Sequence, residues 1–358
     1  MRIGIDISSL AYPDVGVSNV VRNLNESLVS LAKDDELVFF YSSLRRPLKS
    51  NFKNVKKYRL PPTLLDLIWN QWHILNIENF IGKVDVFHSS GWTQPPSHSF
   101  KVATIHDLTP IKFPEETHPR IVAVDDRRLK WVKKEVDRII CVSQSTKKDV
   151  VDLLKIDESK LRVIPNAPSP IFSKSSLEKI NSIKSKYNIE GDYILAVGSV
   201  SPRKNIDRLI KSFETVSKDF NLKLVIVGKY MWGKEIQNSS NVIILNKVEN
   251  EDLSVLYSGA RVFVYPSLYE GFGIPILEAM ACGTPVVTSN VSAMPEVAGN
   301  AAELVDPHSQ ESITKGIEKV LGDDKYASEL ISKGLIRTKD FSWEKSAKLM
   351  HEIYHELE

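Results

Sequence analysis

Two glutamates flank a glycine-rich turn in the stretch "YEGFGIPILEAMACGTPVV" (residues 269–287). On one continuous helix, Glu270 and Glu278 would point about 80° apart, because each residue turns a helix by about 100°. The two glycines between them disfavour helix, whereas Pro275 suits a first helical position, where its missing N–H is not needed. The pattern therefore predicts a helix that begins near Pro275, with Glu270 in the loop before it and Glu278 in its first turns.

The start of this predicted helix has the features of an anion-binding site. The backbone N–H groups of residues 271–276, among which Pro275 has none, should point together in front of the helix, where the macrodipole favours negative charge. The helix should end at Cys282, because Gly283 suits the position after a helix and Pro285 prevents continuation. The alternative is structural, with one loop acid and one helix-start acid that only complement the macrodipole.

Other polar residues follow strand-like runs elsewhere in the chain. Arg203 and Lys204 stand together in "AVGSVSPRKN", directly before a helical pattern, where adjacent cations are placed to bind a polyanion. His106 ends the run "KVATIH" and is followed by a polar, proline-rich loop. The alternatives are a solvated cation pair and a strand-end histidine bonded to the backbone.

Short runs rich in β-branched and aromatic residues alternate with helical patterns, which is typical of an α/β fold with parallel sheets. Two series of five runs are each expected to fill their own sheet. The runs are 2–7, 37–42, 84–89, 101–107 and 138–143, followed by 193–199, 223–228, 241–246, 261–267 and 284–289.

The two series predict two domains. The first should span residues 1–168 and the second residues 169–341. The proline-rich "LRVIPNAPSPIF" (161–172) between the two series predicts a strand that leads into a linker, with the hinge at 168–172. The last segment, 342–358, is amphipathic and predicts a helix that packs back on the first domain. In such folds, binding sites lie at the carboxyl ends of the parallel strands, and the candidate residues follow those ends.

Composition places the chain among globular proteins, with 358 residues, 42% hydrophobic and 26% charged. The start lacks a signal-peptide pattern, and no stretch reaches the roughly 18 apolar residues of a membrane span, so we expect a cytoplasmic protein.

Cys141 and Cys282 stand in apolar surroundings that fit reduced core thiols, without a zinc or iron–sulfur pattern. The loop after the first run lacks the G-x-G-x-x-G of a dinucleotide fold.

Charge is unevenly divided along the chain. Up to Pro168 there are 25 basic and 20 acidic residues, and after it 22 basic and 25 acidic residues. Basic clusters at 45–49, 53–59 and 127–134 could contact an anionic membrane surface or an acidic substrate. Solvated helix faces are the favoured interpretation, because acids alternate with these cations.

Together these motifs resemble the retaining nucleotide-sugar glycosyltransferases of family 4, whose GT-B fold has two facing Rossmann-like domains and an interdomain cleft. The most specific match is "EGFGIPILEAMACGTPVV", which fits the family's Glu-x7-Glu element, and "VGSVSPRKNIDRLI" is similar to its phosphate-binding loop. "VATIHDLTPIKFPEE", "VIPNAP" and "AMPEVAGNAAELVDP" occur in the expected order. The resemblance is strongest to bacterial mannosyltransferases of surface polysaccharide assembly.

This resemblance implies roles by position. Glu278 would bind the ribose hydroxyls, Glu270 and the amides after it the sugar and phosphates, and the cation pair the pyrophosphate. The backbone at Val248 would meet the base, and Gly16 and His106 would reach the donor from the first domain. The implied catalytic set is His106, Arg203, Lys204 and Glu270, and the implied donor-binding set is Gly16, Arg203, Lys204, Val248, Glu270, Gly271, Phe272, Gly273, Ile274 and Glu278.

Two positions depart from the family pattern. Ser199 stands where many relatives have arginine, and Ser18 follows the first-domain loop where relatives often have a second glycine. The first departure leaves Arg203 as the expected substitute for the missing arginine. The second is expected to alter contacts to phosphate or acceptor.

The expected reaction is metal-independent and cofactor-free transfer of a hexose, with mannose and a GDP-mannose donor favoured. The acceptor would be a hydroxyl of a glycan or a lipid-linked glycan, with retention of anomeric configuration and no nucleic-acid partner. The alternatives are a sugar-nucleotide epimerase or hydrolase of the same fold and an inactive sugar-nucleotide-binding scaffold.

Overall fold

The computed structural model describes residues 1–12, 16–229 and 239–357. Its contacts divide the chain into two compact units, Met1–Asn166 with Trp343–Glu358, and Ala167–Ser342. Each unit is built on one sheet of parallel strands flanked by helices. The fold is therefore α/β with two Rossmann-like domains.

The strands have three to seven residues. In the first unit they are Arg2–Asp6 (β1), Glu36–Ser42 (β2), Val55–Tyr58 (β3), Val86–Ser89 (β4), Phe100–Ile105 (β5), Arg138–Cys141 (β6) and Leu161–Val163 (β7). In the second they are Asp192–Val197 (β8), Leu222–Val227 (β9), Val242–Leu245 (β10), Val262–Tyr265 (β11), Val286–Ser289 (β12) and Glu303–Val305 (β13).

Helices connect most of these strands. They are Gly16–Leu31 (α1), Pro62–Leu65 (α2), Glu78–Ile81 (α3), Thr109–Lys112 (α4), Pro119–Glu135 (α5), Gln144–Asp149 (α6), Leu177–Lys186 (α7), Ile206–Val216 (α8), Asn250–Gly259 (α9), Ile274–Ala281 (α10), Met294–Ala298 (α11), Gln310–Gly322 (α12), Asp324–Arg337 (α13) and Trp343–Tyr354 (α14). Short 3₁₀ turns at Pro202–Lys204 and His355–Leu357 matter for the sites below.

Both sheets follow the doubly wound order. The first runs β3-β2-β1-β4-β5-β6-β7, and the second runs β10-β9-β8-β11-β12-β13. The chain direction across the sheet reverses at β1/β4 and at β8/β11, and each reversal leaves a crevice at the strands' carboxyl ends. Ten predicted runs coincide with strands, and β7 begins the segment 161–172, which was predicted as a strand leading into a linker. β3 and β13 were missed.

The missed strands have a physical reason. β3 is an edge strand whose Lys56 and Lys57 are exposed. Because it lies within the basic cluster 53–59, its sequence has no apolar strand pattern. Lysines on an edge strand keep it from pairing with another chain. β13 has three residues, too few for a period-two pattern to be recognised.

The last helix belongs to the first unit. Ala347, Met350, Ile353 and Tyr354 pack in one core with residues of β1 and β2, and α14 contacts α1. The Ser346 hydroxyl donates to the Pro165 carbonyl at 2.6 Å. Among the described residues, no helix combines the length and apolar character needed to cross a bilayer.

Candidate functional site

The crevice of the second unit collects the predicted polar residues. Arg203 and Lys204 lie in the turn after β8, and Glu270 lies in the loop after β11. Since β8 and β11 are neighbours at the point of reversal, their carboxyl ends bring these three side chains together.

One carboxylate oxygen of Glu270 forms ion pairs with both cations. Glu270 Oε1 lies 3.0 Å from Arg203 Nη1 and 2.6 Å from Lys204 Nζ, and all three side chains are at most 15% exposed. Burial by itself would raise the pKa of Glu270, but the charges of Lys204 and Arg203 outweigh it and lower the pKa to about 2. The cluster of two cations and one carboxylate carries one net positive charge at neutral pH.

The turn that carries the cations is fixed by its backbone. The Leu268 amide donates to the Arg203 carbonyl at 2.8 Å, which ties the turn to the loop after β11. Buried Asn205 adopts a left-handed conformation, with φ 59°, and donates to the carbonyls of Pro266 at 3.0 Å and Pro307 at 2.7 Å. Sequence reasoning missed Asn205, although an asparagine after a short turn is a recognised left-handed candidate.

Two glycines let the Lys204 side chain lie close to the sheet end. A Cβ on Gly198, which has φ +144°, would come 3.3 Å from Lys204 Cε. A Cβ on Gly228 would come 1.8 Å from the Gly198 carbonyl oxygen, so the ends of β8 and β9 require a bare backbone there. Lys204 Nζ also donates to the Tyr265 hydroxyl at 2.7 Å.

The helix after the second glycine begins close to its predicted position. Gly273 takes a φ of +104° directly before α10. The prediction of open amides through residue 276 is wrong at Ile276, whose N–H donates to the Gly273 carbonyl at 3.1 Å, because the turn closes on itself. Ile276 is therefore removed from the candidate backbone donors. The Phe272 ring packs edge-on against Phe341.

Glu278 projects from α10 into a different environment from Glu270. Burial raises the pKa of Glu278 to about 7, and a hydrogen bond from the Tyr257 hydroxyl to Oε2, at 3.1 Å, offsets part of that rise. The two glutamates therefore differ in ionisation, because one faces cations and the other a tyrosine. Val248 is half-buried in the loop between β10 and α9.

The first unit holds His106 at the carboxyl end of β5. Burial, followed by the charge of Arg128, lowers the pKa of His106 to about 4, so the imidazole is neutral at pH 7. Its Nε2 is buried without a hydrogen-bond partner in the described part of the chain. It lines a small cavity with His88, Asn166 and Trp343.

Arg128 was missed as a site residue. It was expected on a solvated face of the cluster 127–134, but it is only 6% exposed. Its Nη2 donates to the Thr104 carbonyl at 2.7 Å, two positions before His106. A buried cation inside an amphipathic helix cannot be recognised from its periodicity, because the pattern places charge on the outer face.

Gly16 and Ser18 begin α1. A Cβ on Gly16 would meet nothing within 4 Å, and the Ser18 hydroxyl is buried without a partner among the described residues. The predicted loop before them falls partly on residues 13–15, which lie outside the described residues.

Protein-family models match both units of the chain. A model described as "Glycosyltransferase Family 4" matches residues 15–168, and one described as "Glycosyl transferases group 1" matches residues 179–336. The two matches fall on the first and the second unit, respectively.

Two relatives come from Escherichia coli. O-antigen chain mannosyltransferase B is 31% identical over 72% of this chain and 71% of its own length. Serotype-specific mannosyltransferase WbdA is 28% identical over 99% of this chain, which spans 45% of the length of that protein.

Two solved structures share the fold over essentially the whole chain. Sucrose-phosphate synthase from Thermosynechococcus elongatus has a TM-score of 0.77 at 21% identity, covering 100% of this chain and 99% of its own. Anabaena HepE, solved in complex with UDP-glucose, has a TM-score of 0.71 at 14% identity, covering 99% of each chain. The family matches and the relatives together show that this chain belongs to the family 4 glycosyltransferases, in a subgroup related to bacterial O-antigen mannosyltransferases.

Proposed function

We propose that this protein transfers a hexose, with mannose favoured, from a nucleoside-diphosphate sugar to a hydroxyl of a glycan or lipid-linked glycan. The configuration at the anomeric carbon would be retained. The observation that carries the proposal is the shared contact of Arg203 and Lys204 with Glu270 at the crevice of the second unit.

The cation pair fits a diphosphate leaving group. Negative charge grows on the departing phosphate in the transition state, and fixed cations in a water-poor site stabilise it without reorganising. Two cations beside one carboxylate are a suitable setting for a polyanion, and the start of α10 lies nearby with its macrodipole favouring negative charge. Arg203 and Lys204 would hold the pyrophosphate, with residues 271–274 beside them.

The nucleoside would be held by Glu278 and the loop at Val248. As a carboxylate, Glu278 can accept hydrogen bonds from two ribose hydroxyls, which a protonated carboxyl accepts less well. The mannose preference rests on the names of the relatives, and the diphosphate donor is supported by the complex of Anabaena HepE with UDP-glucose. GDP-mannose is the favoured donor.

Retention is proposed to follow a same-face route. The bond between the anomeric carbon and the phosphate oxygen breaks, the acceptor oxygen bonds to that carbon on the same face, and its proton passes to the departing phosphate. Glu270 would orient the sugar, because a carboxylate held by two cations with a pKa of about 2 is a weak nucleophile. His106, neutral at pH 7, is proposed as a hydrogen-bonding group of the catalytic set.

No metal or cofactor is assigned to the reaction, because the cations and helix start take the place that Mg²⁺ has in other diphosphate sites. We also propose that the protein works in the cytoplasm, with its basic first half near the inner membrane surface when the acceptor is lipid-linked. We propose no nucleic-acid partner for this protein.

The proposal is tested by transfer assays with a panel of nucleoside-diphosphate hexoses and saccharide acceptors, with the product anomer assigned by NMR. We expect a product of unchanged configuration and residual activity in Glu270→Gln, with no sugar adduct by intact mass. An inverted product would reject retention, and a hexose-sized adduct on the Glu270 peptide would reject the same-face route. Free sugar or an epimerised donor in place of transfer would favour the epimerase or hydrolase alternative, and donor binding without turnover would favour the scaffold.

A further inference from the structure

Three side chains meet at the edge of the first sheet that lies opposite His106. Asp35 directly precedes β2, so it lies at the amino-terminal edge of that sheet, whereas His106 follows the carboxyl end of β5. His351 lies in α14, and His355 begins the 3₁₀ turn that follows it. Their i, i+4 spacing places both imidazoles on one side of the chain end.

The donor atoms converge on one carboxylate oxygen. Asp35 Oδ2 lies 2.7 Å from His351 Nε2 and 3.3 Å from His355 Nε2, and one ligand atom from each residue lies within 4.8 Å of the others. The histidine rings are 4.6 Å apart between centroids. For comparison, donor atoms around a tetrahedral zinc ion with bonds of about 2.0–2.1 Å are separated by about 3.3 Å.

We propose that Asp35, His351 and His355 form a structural binding site for a divalent transition metal ion of the zinc type. Two imidazole nitrogens and one carboxylate oxygen are ligands that suit Zn²⁺, and a water molecule would complete four-coordination. The ion would take the place of the protons now shared between the histidines and Oδ2. It would link the end of α14 to the start of β2.

The surroundings of the cluster fit this role. The other oxygen of Asp35, Oδ1, accepts from the Met1 amino group at 2.7 Å, which orients the carboxylate and leaves Oδ2 toward the histidines. The Asp35 side chain is 4% exposed, whereas those of His351 and His355 are 29% and 31% exposed. The site therefore has one anchored ligand and two that an ion can reach from solvent.

The sequence did not predict this site, because no cysteine lies among its three ligands. The spacing H-x3-H in "MHEIYHELE" was the available signal, but its third ligand lies 316 positions away from His351. The site is separate from the proposed transfer chemistry, so loss of the ion should change stability and leave diphosphate binding in the second unit unchanged.

The test uses the full chain freed of metal by chelator and then exchanged into metal-free buffer. Calorimetry with Zn²⁺ and visible spectroscopy with Co²⁺ should show one ion bound per chain, with the absorption of a four-coordinate site. Saturating Zn²⁺ should raise the unfolding midpoint by about 5 °C or more. His351→Gln and His355→Gln should each weaken Zn²⁺ binding at least tenfold and remove the midpoint shift.

His308→Gln is the matched control, since His308 is exposed in the second unit and should leave binding unchanged. Because each histidine variant is tested separately, and its midpoint is also measured without metal, a folding defect in one does not decide the result. Zn²⁺ affinity equal in the wild type and both variants, or no binding at millimolar Zn²⁺, would show a hydrogen-bonded cluster only and overturn the proposal.

Discussion

Glu270 carries two ion pairs through one oxygen, and this arrangement sets what loss of either cation should do. When Arg203 or Lys204 is removed, Glu270 keeps the other partner, so the fold should lose less than it would with an unpaired buried charge. The leaving diphosphate, in contrast, would lose one of its two cations. The effect should therefore fall mainly on turnover.

Arg203→Ala and Lys204→Ala are each expected to lower kcat at least about tenfold, because each cation should contribute about 1.4 kcal/mol or more to the transition state. Steady-state kinetics with the identified donor measure this. Lys211→Ala, an exposed lysine of α8, is the control and should keep wild-type turnover. Wild-type kcat in both site variants would remove these residues from the reaction.

Glu278 should make stability depend on pH. Burial raises its pKa in the folded state to about 7 from an ordinary value of 4.5, so the folded protein holds this proton more tightly than the unfolded chain. Stability is consequently lost as pH rises through that window, and the loss is complete above about pH 7. Glu278→Gln should remove this cost, which is up to about 3 kcal/mol at pH 8 and about 1 kcal/mol at pH 5.

Urea unfolding of wild type and Glu278→Gln at the two pH values measures this difference. A stability difference that does not change between pH 5 and pH 8 would show that the carboxyl is not shifted. The same titration predicts that the wild-type donor KM rises below pH 7, since a protonated Glu278 accepts fewer hydrogen bonds from the ribose.

At the level of elements, the turn Pro202–Lys204 depends on Asn205. Its side chain donates to the carbonyls of Pro266 and Pro307, and its left-handed backbone joins the turn to α8. A glycine keeps this backbone conformation and removes these two hydrogen bonds together with the one that Arg208 Nη1 donates to Asn205 Oδ1. The Asn205→Gly substitution therefore measures the effect of the side-chain hydrogen bonds separately from that of the backbone conformation.

Asn205→Gly is expected to cost about 2–3 kcal/mol of unfolding free energy, because three side-chain hydrogen bonds are lost and the Pro266 carbonyl loses its Asn205 donor, while the Pro307 carbonyl keeps Arg208 as a donor. It should also lower kcat, since the cation turn is no longer held. Denaturant unfolding and kinetics measure both. Asn188→Gly, another left-handed asparagine that is exposed, should change stability by less than about 0.5 kcal/mol. Equal effects of the two variants would contradict the role given to Asn205.

The elements differ in how far the sequence could predict them. The start of α10 was predictable to within one residue, because Gly273 and Pro275 act locally. The support from Asn205 was not, because its partners lie 61 and 102 positions away. Apolar strands of four or more residues have a clear pattern, whereas β3 is too charged and β13 too short. The buried position of Arg128 depends on tertiary packing that periodicity does not report.

At the scale of the whole molecule, the account predicts full transfer activity in excess chelator, because the diphosphate is neutralised by side chains and backbone. The assay is run at 25 °C in wild type and in His351→Gln, so that a structural ion at Asp35 is removed from both. Equal activity with and without chelator is expected. Complete loss in both, restored by Mg²⁺ or Mn²⁺, would show that a metal takes part in the reaction.

The central claim is that Arg203 and Lys204 hold the donor's diphosphate without a metal, and calorimetric titration with GDP and UDP in excess chelator tests it most directly. The account predicts that at least one of these nucleotides binds the wild type, and that binding is at least about tenfold weaker in Arg203→Ala and in Lys204→Ala but unchanged in Lys211→Ala. Diphosphate affinity that is the same in the wild type and both site variants would contradict the account.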